Sequence, residues 1–391
     1  MTPRLVYLDN AATTPVRPEV LEAMLPYLGA DVFGNPSSPH RWGRAARAGV
    51  EHAKRTVAEA LGTEPNHVVF TSGGTEADNL AVIGAALASR DRGGPFRVAV
   101  GATEHKAVLE AAHAVTHLGG EEIILPVGPT GVVDEDAVGA ALARGVALVS
   151  VMWVNNEIGT VQPVGRLAAR CRDGAVPFHT DAVQAFGKVP VSLRDAPCDL
   201  LTISGHKIGA PKGIGALVVR ERRTVEALIH GGGQQFGIRP GTENVPGIIG
   251  LATAVGLAAR EQAEFARRTA ALRDEFERRV LACVPDAVIH ARGAARAPHL
   301  SNVSIPGAES EVLLMHLDLA GIACSAGSAC STGAVEPSHV LTAMGVPHDL
   351  GIAALRFSFG RDNTADDTEA VVAALPAIVE KVRALTTVMH R

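Results

Sequence analysis

The chain carries six lysines among 36 basic residues, and one of them, Lys207, ends a short apolar run, Leu200-Leu201-Thr202-Ile203-Ser204-Gly205-His206. If that run is a strand of an open α/β sheet, the lysine lies at its C-terminal edge, where such folds collect their chemistry. A solvated surface lysine is the usual alternative. A fixed amine of lowered basicity can instead bond covalently to an aldehyde. Upstream, Asp181 closes the stretch Val176-Pro177-Phe178-His179-Thr180. Taken by itself it reads as a helix N-cap. Beside an aldehyde-binding lysine, it can keep a proton on the ring nitrogen of pyridoxal 5'-phosphate (PLP), so that the ring accepts electrons. The cofactor's phosphate then needs free N–H groups. The segment Val68-Val69-Phe70-Thr71-Ser72-Gly73-Gly74-Thr75 offers a strand, a glycine turn and a helix start. Such a turn either binds an anion at Gly74-Thr75 or only leads into a capped helix. Lysine, aspartate and turn together point to PLP.

Other reactive residues surround these three. His105 reads as a core histidine, or as a ring that stacks on the cofactor and shuttles protons. Cys330 lies in Cys324-Ser325-Ala326-Gly327-Ser328-Ala329-Cys330-Ser331-Thr332-Gly333. Small residues on every side suit a nucleophile on an accessible loop, whereas structural cysteines sit among apolar residues. Cys324 and Cys330 could ligate a metal, but no neighbouring His or Cys pair completes a set, so no metal is expected. Arg356 interrupts the apolar run Leu355-Arg356-Phe357-Ser358-Phe359 and needs an anion, either a protein carboxylate or a substrate carboxylate.

The elements that must position these groups alternate in type. Strands are expected at residues 68–71, 97–101, 122–125, 147–151, 176–180, 200–203 and 215–219. Helical patterns fall at 44–61, 107–118, 134–143 and 164–171, and a further helix runs from the glycine turn through Ala88. This alternation predicts a largely parallel sheet covered on both faces. Four strand ends carry polar, reactive residues, which implies one shared site. A long helix over about 246–281 bridges to a second region, with strands near 287–290, 302–305 and 355–359 and helices at 310–320, 337–344 and 365–385. Net charge is -5, and no basic block points to nucleic acid or an anionic membrane. The apolar run from Val245 to Ala259 is short of the ~20 residues that span a bilayer. Five scattered cysteines are not a disulfide framework and fit a reducing cytoplasm.

Read in order, several segments resemble the NifS/IscS-type cysteine desulfurases, PLP enzymes of the class V aminotransferase family. The segments are Tyr7-Leu8-Asp9-Asn10-Ala11-Ala12-Thr13-Thr14, Phe33-Gly34-Asn35-Pro36, Thr71-Ser72-Gly73-Gly74-Thr75-Glu76, Thr103-Glu104-His105-Lys106, Val154-Asn155-Asn156-Glu157-Ile158-Gly159, His179-Thr180-Asp181-Ala182-Val183-Gln184, Ser204-Gly205-His206-Lys207, Gly231-Gly232-Gly233-Gln234 and Gly327-Ser328-Ala329-Cys330. The resemblance implies an α/β chain of PLP fold type I. Residues 16–255 would form the large domain. Residues 1–15 and 256–391 would form a smaller α+β domain carrying the cysteine loop. It further implies that Lys207 holds the cofactor and Asp181 pairs with the ring nitrogen. Asn156 and Gln184 would bond near the phenolic oxygen, and His105 would stack on the ring. Gly74, Thr75, Ser204 and His206 would bind the phosphate, with Thr242 reaching in from the second subunit of a homodimer. Arg356, Asn35 and Asn10 would hold the carboxylate of L-cysteine, with Asn156 beside it. Lys207 would take the α-proton. Cys330 would accept sulfur as a persulfide, release alanine, and pass the sulfur to an iron–sulfur scaffold or another acceptor. Cys324 could relay sulfur, form a disulfide or do nothing. Selenocysteine lyase and aminotransferase chemistry are the nearest alternatives on the same fold, and a non-catalytic sulfur carrier is the alternative from another class.

Overall fold

A computed structural model describes residues 5–326 and 336–389, the last four of them by backbone alone. Strand β1 is Val6–Tyr7. It is followed by β2 (Val68–Thr71), β3 (Arg97–Gly101), β4 (Glu121–Leu125), β5 (Leu148–Ser150), β6 (Phe178–Asp181), β7 (Leu200–Ser204) and β8 (Gly215–Val219). Strands β2 to β8 form one seven-stranded sheet in the order β2-β8-β7-β6-β5-β3-β4. Only β8 runs against its neighbours, so the largely parallel sheet expected from the alternation is present. Every residue of β2, β5, β6, β7 and β8 is buried, as in a sheet covered on both faces.

Side chains of alternate strand residues feed two separate cores. Phe70, Leu201, Ile203 and Val218 join one; Val69, Leu200, Leu217 and Val219 join the other. This is the period of two that a pleated strand imposes. Helices α1 (Pro18–Leu28) and α2 (Arg41–Leu61) cover the first face, while α3 (Gly74–Asp91) and α4 (Lys106–His117) cover the second. Gly62 ends α2 in the left-handed conformation (φ 71°) and returns its N–H to Ala58 and Glu59 carbonyls, a stop that glycine adopts without steric cost. Helices α5 (Glu135–Ala143) and α6 (Val164–Asp173) complete the βα alternation.

Helix α7 (Val245–Cys283) is unbroken over 39 residues, about 58 Å at 1.5 Å per residue. Its first turns enter the core of the large sheet through Ile248, Leu251 and Val255. Its last turns enter a different core through Phe276 and Val280. There β9 (Val288–Ile289), β10 (Leu300–Ser304), β12 (Ser325–Ala326) and β13 (Ala354–Ser358) form an antiparallel sheet in the order β12-β13-β10-β9. The short β11 (Ile322–Ala323) pairs in parallel with β1 instead, which ties the start of the chain to this second region. Helices α8 (Ser310–Leu319) and α11 (Ala365–Met389) pack on it, and α9 (His339–Ala343) and α10 (His348–Gly351) lie in the connection to β13.

Candidate active site

Five strands of the large sheet deliver their ends to one place, and β13 approaches from the second region. Lys207 follows β7 by a single 3₁₀ turn, Gly205–Lys207. Its Nζ donates to the carbonyls of Ala11 and Ala12, both at 2.7 Å. Burial pulls this amine down to about 8, and the nearby Arg356 guanidinium pulls the same way, against Asp181 and Asp9. At neutral pH a neutral fraction is therefore accessible, as a nucleophilic or proton-accepting amine requires.

Asp181 ends β6, the strand beside β7, in register with Thr202. It is buried, and its Oδ1 accepts the Val183 N–H at 2.8 Å. Burial raises its pKa, while His105, Lys207 and Lys188 draw it back. Two further carboxyls, Asp78 of α3 and Glu104, are wholly buried nearby. Burial first, and then the charge of Asp181, push both well above the ordinary carboxylate range. Glu104 Oε1 accepts the Met152 N–H at 2.6 Å, and its Oε2 has no partner among the described residues. His179 bridges Ser150 and Thr202 at 2.8 and 3.1 Å; burial lowers it to about 3, so it is neutral.

The glycine turn places the N-terminus of α3 at the same sheet edge. A Cβ on Gly74 would stand 3.2 Å from Val183 and 3.5 Å from Ser204, whereas one on Gly73 would meet nothing within 4 Å. The start of α3 thus has no capping side chain and lies close to Ser204 at the end of β7. His105 caps α4, its Nδ1 accepting the Ala107 N–H at 3.1 Å. That bond leaves the proton of a neutral ring on Nε2, and burial lowers the pKa of the ring, opposed by Asp181 and helped by Lys207. His206 turns to Thr13 at 3.2 Å, and burial with the neighbouring lysines lowers it to about 4.

Arg356 of β13 reaches across to the sheet edge. Its Nη2 bonds Asp9 at 2.8 Å, its Nη1 donates to the Asn156 carbonyl at 3.1 Å, and its Nε is buried without a partner among the described residues. The protein carboxylate that the arginine requires is therefore Asp9, and Nε is the guanidinium nitrogen left without a partner among the described residues. The side-chain oxygen of Asn156 is likewise buried without a described partner. Gln184 is already engaged: Nε2 donates to Ala11 at 2.8 Å, and Oε1 lies 3.4 Å from His299. Asn10 is also committed, its amide donating to Ser358, Tyr7 and Asn363. Asn35 stands on an exposed loop and accepts the Ser37 N–H, and Thr242 is exposed. No described contact joins Asn35 or Thr242 to the other residues of the site. Cys330 lies outside the described residues; the strand that leads toward it, β12, pairs Ser325 with Arg356. Cys324 is partly buried, and burial, with Asp9 adding, pushes its thiol up to about 12.

Sequence reasoning missed Asp9 as the partner of Arg356, the Ala11 and Ala12 carbonyls, Asp78 and Lys188. Asp9 alone carried a signal, since it lies within the polar turn after β1. The donor set fits PLP: an amine of lowered basicity, a buried carboxylate on the adjacent strand, a helix N-terminus with no capping side chain, and an orphaned acceptor on Asn156.

The aminotransferase class-V family matches residues 6–371. A cysteine desulfurase IscS from Dictyoglomus turgidum is 43% identical over 383 residues, covering 98% of this chain and 96% of that protein. One from Methanosarcina thermophila is 43% identical over 380 residues, covering 97% and 93%. The X-ray structure of a NifS-like protein from Rickettsia africae superposes with a TM-score of 0.85 at 30% identity, covering 96% of this chain and all of that one. The chain belongs to the class-V aminotransferase family. Its architecture is PLP fold type I, and its cofactor is PLP.

Proposed function

We propose that the protein is a cysteine desulfurase: it removes sulfur from L-cysteine, releases L-alanine and holds the sulfur as a persulfide on Cys330. The observation that carries this reading is the Lys207 amine, lowered to about 8 and set beside Asp181 and the α3 N-terminus. The names of its full-length relatives support the same reaction. The balance is simple. Cysteine and the Cys330 thiol become alanine and a Cys330 persulfide, with no external oxidant or reductant.

PLP, when bound, acts as an electron sink that acidifies the substrate Cα–H and weakens the Cβ–S bond. Lys207 carries the cofactor and then, as a free amine, takes the proton from Cα. Asp181 keeps the ring nitrogen protonated. The N–H groups at Gly74 and Thr75 hold the phosphate with Ser204 and His206, and Thr242 comes from a second copy in a homodimer. His105 lies against the ring, and its Nε2 is the nitrogen free to exchange a proton. Asn156 and Gln184 serve the phenolic oxygen; Gln184 must first leave the Ala11 carbonyl. Arg356 orients the substrate carboxylate, with Asn10, Asn35 and Asn156 around it. Residues 16–255 form the cofactor-binding domain. Residues 1–15 and 256–391 form the domain that presents Cys330, a division supported by the separate cores and by the β1–β11 pairing. The sulfur goes to iron–sulfur cluster assembly or another acceptor in the cytoplasm. No helix of the described residues is long and apolar enough to cross a membrane.

The test is to incubate the purified yellow protein with L-cysteine and a reductant and to measure alanine and sulfide. Lys207→Ala should lose the cofactor's bound absorbance and all turnover. Cys330→Ala should keep the absorbance and lose sulfide release. Wild-type sulfide release by Cys330→Ala overturns the nucleophile assignment. A normal bound-cofactor spectrum in Lys207→Ala overturns the anchor.

A further inference from the structure

Lys207 lines a cavity of about 290 Å³ that Asn10 and Lys188 also line, and that Asp181 and Gly74 do not. It sits where the two cores meet, between the segment after β1, helix α7 and the stretch after β13. Its inner wall includes Lys207, Lys188 and His299; Glu261 and Arg361 line it as well, and their side chains are 44% exposed. The cavity therefore reaches solvent at one end and the active-site amine at the other, with room for several water molecules.

Lys188 has no role in the chemistry described above. Its side chain is only 5% exposed. Its Nζ has a single long hydrogen bond, 3.4 Å to the Val183 carbonyl, and no carboxylate pairs with it among the described residues. Buried lysines are ordinarily paired. The charged and titratable groups that face it are Asp181 at the start of its own turn, Lys207 after β7 and His299 before β10, with the Arg17–Glu261 pair and Arg361 around the cavity. Asp181 favours its ammonium form. Burial, followed by the Lys207 charge, opposes it more strongly and lowers Lys188 to about 7, close to the value for Lys207.

Two amines of similar basicity on one wet cavity can trade a proton at little cost. Lys207 must be neutral to take a proton from substrate carbon and protonated to return one. We propose that Lys188 is a positioning residue that exchanges protons with Lys207 through water in this cavity, so that the active-site amine is reset. In each exchange the Lys207 ammonium loses one proton to water, the Lys188 amine gains one, and bulk water at the outer end restores the balance. No other bond changes. This rests on the assignment of Lys207 as the active-site base.

Isotope retention in the holoenzyme tests the idea independently of rate. With L-cysteine deuterated at Cα and turned over in ordinary water, the wild type should wash most of the label out of the alanine formed. Lys188→Met should raise the retained label severalfold, because the proton on Lys207 can no longer leave through the cavity. Lys188→Arg keeps the cation but cannot give up its proton, so it should retain label like the methionine variant. A merely structural or electrostatic role predicts that the arginine variant behaves as wild type, and that outcome overturns the proposal. Full retention by the wild type overturns it too. Should neither variant fold, trace acetylation of wild-type holoenzyme across pH reads Lys188 directly: a midpoint near 7 is expected, and a midpoint at the ordinary lysine value refutes the exchange. Loss of alanine formation in the wild type would instead refute the desulfurase reading and leave the acetylation result standing.

Discussion

At the scale of single residues, the site is defined by groups held away from their ordinary protonation states. Lys207, lowered to about 8, works near neutral pH, and Cys324, raised to about 12, does not. Cys324→Ala should therefore leave sulfide release from cysteine within about twofold of wild type, since the thiolate is the reactive form; a large loss would make Cys324 a sulfur relay. Arg356 holds Asp9 through Nη2 and the Asn156 carbonyl through Nη1, a planar fork of donors. A lysine cannot reproduce that fork, so Arg356→Lys should raise KM for L-cysteine by roughly tenfold or more, with a smaller change in kcat. Lysine, aspartate and arginine were legible because each is costly where the sequence pattern puts it. Asp78 was not. A buried carboxyl within an alternating or helical pattern looks like a solvated one until the fold shows what covers it. Asn10 was named through the family resemblance, and its amide fastens the turn after β1 to Ser358 and Asn363.

At the scale of elements, the βα alternation determines where the chemistry gathers. Strand and helix positions followed the sequence pattern closely because the central strands are buried on both faces and read as apolar runs. Helix α1 escaped notice. It buries only Val20 and Met24, exposes Leu21, Leu25 and Leu28, and contains Pro26, so its apolar residues trace no single stripe. Reversal of β8 also has no signature in a strand covered on both sides. The turn into α3 gives a sharper test. Gly74→Ala would already press Val183 at 3.2 Å, and the branched side chain of Gly74→Val has nowhere to go. Overpacking of this kind costs about 1–3 kcal/mol, and here the strain falls on the phosphate site. Gly74→Val should weaken PLP binding far more than it lowers the thermal midpoint of the cofactor-free protein, as titration of absorbance against added PLP would show.

At the scale of the whole molecule, α7 joins the two regions. Phe276 near its end packs against Phe357 and Phe359 at ring-centroid separations of 4.8 and 5.7 Å, directly behind the strand that presents Arg356. Truncating a buried aromatic of this kind costs about 3–5 kcal/mol. Phe276→Ala should therefore lower the denaturant midpoint and raise KM for cysteine together, because the same packing supports both. If only stability falls, the second core does not govern substrate binding. The division of labour between the regions follows from the same geometry. The large sheet gathers the amine, the carboxylate and the phosphate cradle. The second region brings the guanidinium, and from its strand β12 the chain continues toward Cys330. Mass analysis of the wild-type protein after one turnover with sulfur-labelled L-cysteine, without reductant, tests this most directly. The account predicts that the peptide containing Cys330 gains one labelled sulfur atom while those containing Cys171, Cys198, Cys283 and Cys324 gain none. Label on Cys324 alone, or alanine formed with Cys330 unmodified, would contradict it.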